Sequence, residues 1–91
     1  MTNYKRKKAE KLLARLDANV QQQLKTATKF HAKYLAEGNK EKADSYMFSH
    51  SGGVDMLQAL GIINFNELML LYDYETEMAY EMAEQIKKGA A

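Results

Sequence analysis

The chain has 91 residues, a formal net charge of +1, two histidines, and neither cysteine nor proline. That length suits a single helical domain over residues 1–91, and the missing cysteines exclude disulfides, thiolate metal sites and cysteine nucleophiles together. Ala, Leu, Lys, Glu, Gln, Arg and Met supply 54 residues against nine for Val, Ile and Thr, so the expected fold is all-α.

An apolar content of 46% is too high for a disordered chain. The charge is unevenly spread: residues 1–30 hold eight bases and two acids, and residues 61–91 hold two bases and six acids. Such a split serves either an external polyanion or the pairing of one helix with another. The longest apolar run, Leu68 to Tyr72, is five residues against the roughly 20 of a membrane span. Glu10, Lys11, Arg15 and Asp17 interrupt the segment where an export signal would continue, so the expected location is the cytoplasm, with no membrane partner.

Three helices are read along the chain. From about residue 4 to 37, Ala9, Leu12, Leu13, Leu16, Val20, Leu24, Ala27, Phe30, Tyr34 and Leu35 recur at three- and four-residue steps, which predicts one long amphipathic helix. Gly38 suits a left-handed C-terminal cap and Asn39 an N-cap, so the second helix, 40–60, returns antiparallel. Ala43, Tyr46, Met47, His50, Val54, Leu57 and Leu60 share one face of it, with Phe48, Met56 and Ala59 on the flanks, and this places it at the centre. Gly61 ends it. Asn64 and Glu67 then form a capping-box variant, Ile63 and Leu68 a hydrophobic staple, and a third helix runs over 65–88 until Gly89. The expected fold is a three-helix antiparallel bundle with a long first helix.

Gly52 and Gly53 each cost about 1 kcal/mol in a helix interior. The hairpin register sets Gly53 opposite Tyr72 and Leu24, and close helix packing at Gly52, Gly53 and Tyr72 would account for that cost. The alternative is a break at Ser51 to Gly53. The same register leaves the start of the first helix overhanging by about 20 Å at 1.5 Å per residue. Exposed apolar side chains on that overhang need a cover. A homodimer through Leu12, Leu13, Leu16 and Val20 is the favoured cover, and the competing one is a break at Asp17 to Asn19 that folds the first segment back over the bundle.

The run from Asp55 to Asn64 (Asp55, Met56, Leu57, Gln58, Ala59, Leu60, Gly61, Ile62, Ile63, Asn64), followed by Glu67 and Leu68, resembles a helical-hairpin pattern in small proteins of bacteriophages and mobile elements of Gram-positive bacteria. The resemblance implies an accessory cytoplasmic protein and carries no catalytic motif.

Catalytic chemistry is sparse. Ser49, His50, Ser51 and Asp55 are neighbours, but a nucleophile elbow needs a strand before its serine and here a helical period runs through. His50 reads as a core or interface histidine with one ring nitrogen bonded to a neighbour. His31 lies at the edge of an apolar face, staggered from His50, and no Glu-x-x-His motif supports a metal. No catalytic residue, metal or cofactor is expected, and an enzyme would need a pocket that brings His31 or His50 to a carboxylate. Lys5, Arg6, Lys7, Lys8, Lys11 and Arg15 form a basic cluster able to contact a polyanion such as nucleic acid, although neither joint has helix-turn-helix form. Asp73, Glu77, Glu81 and Glu84 make an acidic face for solvent or a basic partner. Tyr72, Tyr74, Tyr80, Met56, Met69, Met78 and Met82 suit an adaptable protein-binding surface. The functional expectation is a non-catalytic accessory or regulatory protein-binding module with a protein partner of unknown identity, and a nucleic-acid-associated protein is the alternative.

Overall fold

A computed structural model of the chain describes residues 1–90. It contains four helices and not three: α1 Asn3–Ala14, α2 Ala18–Ala36, α3 Lys40–Ala59 and α4 Phe65–Ala90. The long first helix is therefore corrected to two. Chain chemistry at the break accounts for it. The Asp17 carboxylate accepts from the Asn19 and Val20 backbone N–H groups (2.9 and 3.3 Å), and the Gln21 side chain donates to the Leu16 carbonyl at 2.8 Å. These bonds satisfy groups that a helix interruption sets free. Burial supplies the drive, since the fold-back puts Leu12 and Leu16 into the chain's own core. A leucine taken out of water is worth about 1.5–3 kcal/mol, more than the one or two backbone bonds lost at the turn.

The other joints follow local chemistry. Gly38 and Gly61 take φ of 73° and 74°, a region that glycine enters without a side-chain clash. Behind them Asn39 N–H donates to the Tyr34 carbonyl and Ile62 N–H to the Leu57 carbonyl, both at 2.9 Å, closing the ends of α2 and α3. Asn64 and Glu67 exchange side chain to backbone bonds of 2.8 and 2.9 Å at the start of α4. At its far end α4 continues through Gly89 to Ala90.

In the packed molecule α2 lies along both α3 and α4, and α1 packs chiefly on α4. α2, not α3, is thus the shared helix, and the expected central position of the second predicted helix is corrected. Contacts of Arg6 with Glu77 and Glu81, of Glu10 with Tyr74 and of Arg15 with Glu67 descend along α4, so α1 runs antiparallel to it. Leu12, Leu16, Leu24, Val54, Leu57, Ile63, Leu68 and Leu71 form one continuous core, with Leu13, Val20, Leu70 and Tyr72 half-buried against it. The opposite half is closed by Ala32, Ala43, Ala79 and Ala83 around buried His31 and Glu75. Outside it Tyr46 stacks on Phe30 and Tyr34, with ring centroids 5.1 and 5.7 Å apart.

α3 passes unbroken through both glycines. A Cβ on Gly53 would stand 3.4 Å from Leu24 Cδ2, as the register anticipates on the α2 side, whereas Gly52 has nothing within 4 Å. Tyr72 does not close on Gly53. Its hydroxyl instead donates to Asp55, a bond that raises the tyrosine pKa to about 12 by disfavouring the phenolate.

Candidate functional site

Folding redistributes the basic run. Arg6 is drawn into Glu81 (2.6 Å) and Glu77, and Arg15 into Glu67 at 3.2 Å. Of the acidic face that sequence reading offered to a partner, Glu77 and Glu81 thus meet the protein's own first helix, while Glu84 lies 3.7 Å from Lys87 on α4 itself. Lys5, Lys7, Lys8 and Lys11 remain exposed and without an ion pair among the described residues, although Lys5 and Lys8 border the same groove as Glu67 and Asp73. The proposed dimer residues have moved as well. Leu12 and Leu16 are buried within the chain and Leu13 and Val20 half-buried, so no overhang exists to require a second copy there.

His31 lies in the alanine-rich half, and His50 where that half meets the aliphatic core, bordering the same space as Leu24 and Leu71. His31 on α2 and Glu75 on α4 are both 3% exposed, and the His31 Nδ1 to Glu75 Oε1 distance is 2.6 Å. Burial pushes the Glu75 carboxyl above its ordinary pKa, and the contact with His31 offsets only part of that rise. His50 on α3 is 6% exposed. Its pKa falls to about 4, first because burial penalises the imidazolium and second because His31 is near. Among the described residues no group hydrogen-bonds the His50 ring, so the expected core histidine is buried but not bonded to a neighbour. Yet no fully buried side-chain nitrogen or oxygen lacks a partner among the described residues. The His50 nitrogens therefore keep access to the space beside them.

That space is a cleft of about 340 Å³ between α2 and α4. Leu24, Leu71, His50 and Glu75 make its floor, Leu13 of α1 closes a wall, and Lys25 and Lys29 stand at the lip beside Met82. His31 sits behind Glu75 and does not line it. No group of three or more His, Cys, Asp or Glu side chains able to hold a metal occurs among the described residues. Sequence reading missed Glu75 altogether. Its signal was positional, since Leu68, Leu71, Glu75, Ala79 and Ala83 follow helical steps on one inward face and only one of them is charged.

Outside α3 a second surface appears. Phe48, Gly52, Met56 and Leu60 follow one another at four-residue steps, and Ile62, Phe65 and Met69 continue the apolar surface around the α3–α4 joint. Phe48, Met56, Leu60, Ile62 and Phe65 are each more than half exposed. Over residues 45–66 the sole carboxylate or ammonium is Asp55, which Tyr72 holds. Depletion of charge around exposed aromatic and aliphatic side chains is the composition of an interface centre.

No family model, curated protein or solved structure matches this chain. No helix among the described residues is long and apolar enough to cross a membrane.

Proposed function

We propose that the chain is a non-catalytic protein-binding module whose binding face is the uncharged ridge of α3, and that its occupant is the α3 ridge of a second copy. The observation that carries this reading is the order Phe48, Gly52, Met56 at equal steps, exposed and free of charge. Gly52 costs α3 about 1 kcal/mol relative to alanine, and nothing inside the chain uses the space it leaves. Two helices crossing at Gly52 would use it, with the small residue at closest approach and Phe48 of each copy against Met56 of the other where the axes diverge. Ridges at four-residue spacing interlock in this way at about −50°, and a twofold axis through the crossing makes the patch self-complementary. This dimer differs from one through Leu12, Leu13, Leu16 and Val20, whose apolar groups the monomer already covers.

The cleft does bring His50 and the Glu75 carboxylate into one pocket, which is what an enzyme would need, and the non-catalytic reading rests on the absence of a nucleophile beside them. Its lining includes no serine or cysteine, and the Thr28 hydroxyl donates to the Leu24 carbonyl at 3.2 Å. An accessory role in a phage or mobile element rests on the resemblance of the hairpin from Asp55 to Leu68, and the neighbouring genes test it.

Light scattering is the direct test. The 10.4 kDa chain is expected at twice its mass at micromolar concentration, and Phe48→Lys with Met56→Lys, both on exposed sites, restores the single mass. Gly52→Cys adds the chain's only thiol and is expected to form an intermolecular disulfide on mild oxidation, because a bridge needs Cα atoms within about 7 Å. A monomeric wild type, or a Gly52→Cys variant that stays unlinked, overturns the crossing.

A second reading has one observation in its favour. Lys5, Lys7, Lys8 and Lys11 keep their charges free on one short helix and could meet the phosphates of a nucleic acid. Titration of a labelled duplex at two salt concentrations separates the readings, since phosphate binding weakens steeply with salt and the α3 crossing does not.

A further inference from the structure

The cleft between α2 and α4 combines features that the ridge does not share. Its surface is largely apolar, with three leucines and two methionines in the lining, it reaches down to His50 and Glu75, and Lys25 and Lys29 flank its mouth one helical turn apart. At about 340 Å³ it lies within the size range of small-molecule sites, which are typically about 300–1,000 Å³. Two polar groups at its floor have bonding capacity left over. Glu75 gives Oε1 to His31, and among the described residues no other side chain approaches its second oxygen within hydrogen-bond distance. His50, more than nine-tenths buried, has no hydrogen-bond partner among the described residues. Unsatisfied polar groups at the base of an apolar cleft are costly unless water or a ligand meets them. At the mouth, neither Lys25 nor Lys29 makes an ion pair among the described residues, so both ammonium groups are open to an anion, although Lys29 also borders a groove with Glu81 and Glu84.

We infer that this cleft binds a small amphipathic acid, with its carboxylate at Lys25 and Lys29, its apolar body over Leu24, Leu71 and Met78, and a terminal hydroxyl on the floor at His50 and Glu75. Each part of the ligand answers a separate part of the site. The lysines select an anion, the leucine and methionine sleeve favours a chain or ring over a sugar, and the floor offers both an acceptor and a neutral imidazole to a hydroxyl. A hydroxyl can donate to the free Glu75 oxygen while accepting from His50, which an alkyl terminus cannot do.

Three probes of equal chain length read these parts separately: 8-hydroxyoctanoate, octanoate and 1,8-octanediol. Calorimetric titration with the full chain is expected to rank them in that order, with 8-hydroxyoctanoate binding about tenfold tighter than octanoate and shifting the His50 ring resonances in NMR. Lys25→Glu with Lys29→Glu, at exposed positions, is expected to weaken 8-hydroxyoctanoate about tenfold and leave the diol unchanged. Met78→Trp fills the cleft and is expected to abolish binding of all three. Its fold is checked by circular dichroism, and the lysine pair stands as the independent variant if it fails. No binding of any probe at millimolar concentration overturns the inference. So does binding that survives in Met78→Trp and disappears in Phe48→Lys, since the probe would then be resting on the α3 ridge.

Discussion

The two halves of this bundle are built on different physics. Around the α3–α4 joint, eight aliphatic side chains from all four helices and the joint itself make a core with no polar member. At the other end alanines bring α2, α3 and α4 close, and a histidine–glutamate pair occupies space that leucines would otherwise take. Buried polar pairs contribute little net stability and fix geometry at best, because desolvation consumes most of the attraction. The aliphatic half should therefore hold the molecule together, while the polar half should respond to pH and to ligands.

Mutation can break that contrast. Leu71 is 1% exposed, and Leu71→Ala is expected to cost roughly 4 kcal/mol through lost transfer energy and a cavity, read from denaturant midpoints. Acid should act on the other half and at its edge, where His50 sits. Unfolded His50 takes a proton near pH 6.5, but the folded ring stays neutral to about pH 4. Between those values the unfolded chain holds the extra proton, so stability falls as pH drops through the window, by up to about 3 kcal/mol. The groups facing His50 are His31 on α2 and Glu75 on α4. Glu75, with its pKa raised in the fold, works in the opposite sense, because the native state holds its proton more tightly and acid favours it. Thermal unfolding at pH 7 and pH 4 should show the loss in the wild type and its removal in His50→Gln.

Smaller effects sharpen the comparison. Glu75→Leu alone is expected to destabilise by about 2 kcal/mol because it strands the His31 nitrogen in the interior. The double change with His31→Leu should recover most of that loss, and a double-mutant cycle measures the difference. Asp17→Ala removes the cap that separates α1 from α2 and should cost about 1 kcal/mol, seen as a lower urea midpoint with an unchanged slope.

How far the sequence discloses this molecule depends on the range of the forces involved. Gly38, Asn39, Gly61, Asn64 and Glu67 are legible because each acts on backbone groups a few residues away. The turn at Asp17 is legible only as the competing reading, which the structure adopts, since the apolar period of Leu12, Leu16 and Val20 runs through it and a continuous helix satisfies the same pattern. Choosing between the two requires knowing that α4 offers a face to fold back on. The expected central place of the second helix failed for a related reason. Apolar residues on several sides of α3 were read as enclosure, and the structure leaves Phe48, Met56 and Leu60 in solvent. Of the site residues, His50 stood out by its type, whereas Glu75 was hidden among ordinary surface acids until its inward position was seen.

The manner in which α1 is attached has a consequence of its own. It leans chiefly on one neighbour and is fastened along its length by arginines whose carboxylate partners sit near the surface. It can swing out on the residues around Asp17, at the cost of drawing Ala9 and Leu12 out of the core, while α2, α3 and α4 keep their contacts with one another. Amide exchange should therefore be fastest in this arm, concentrated salt should loosen it first, and its departure would open the side of the cleft that Leu13 now shuts.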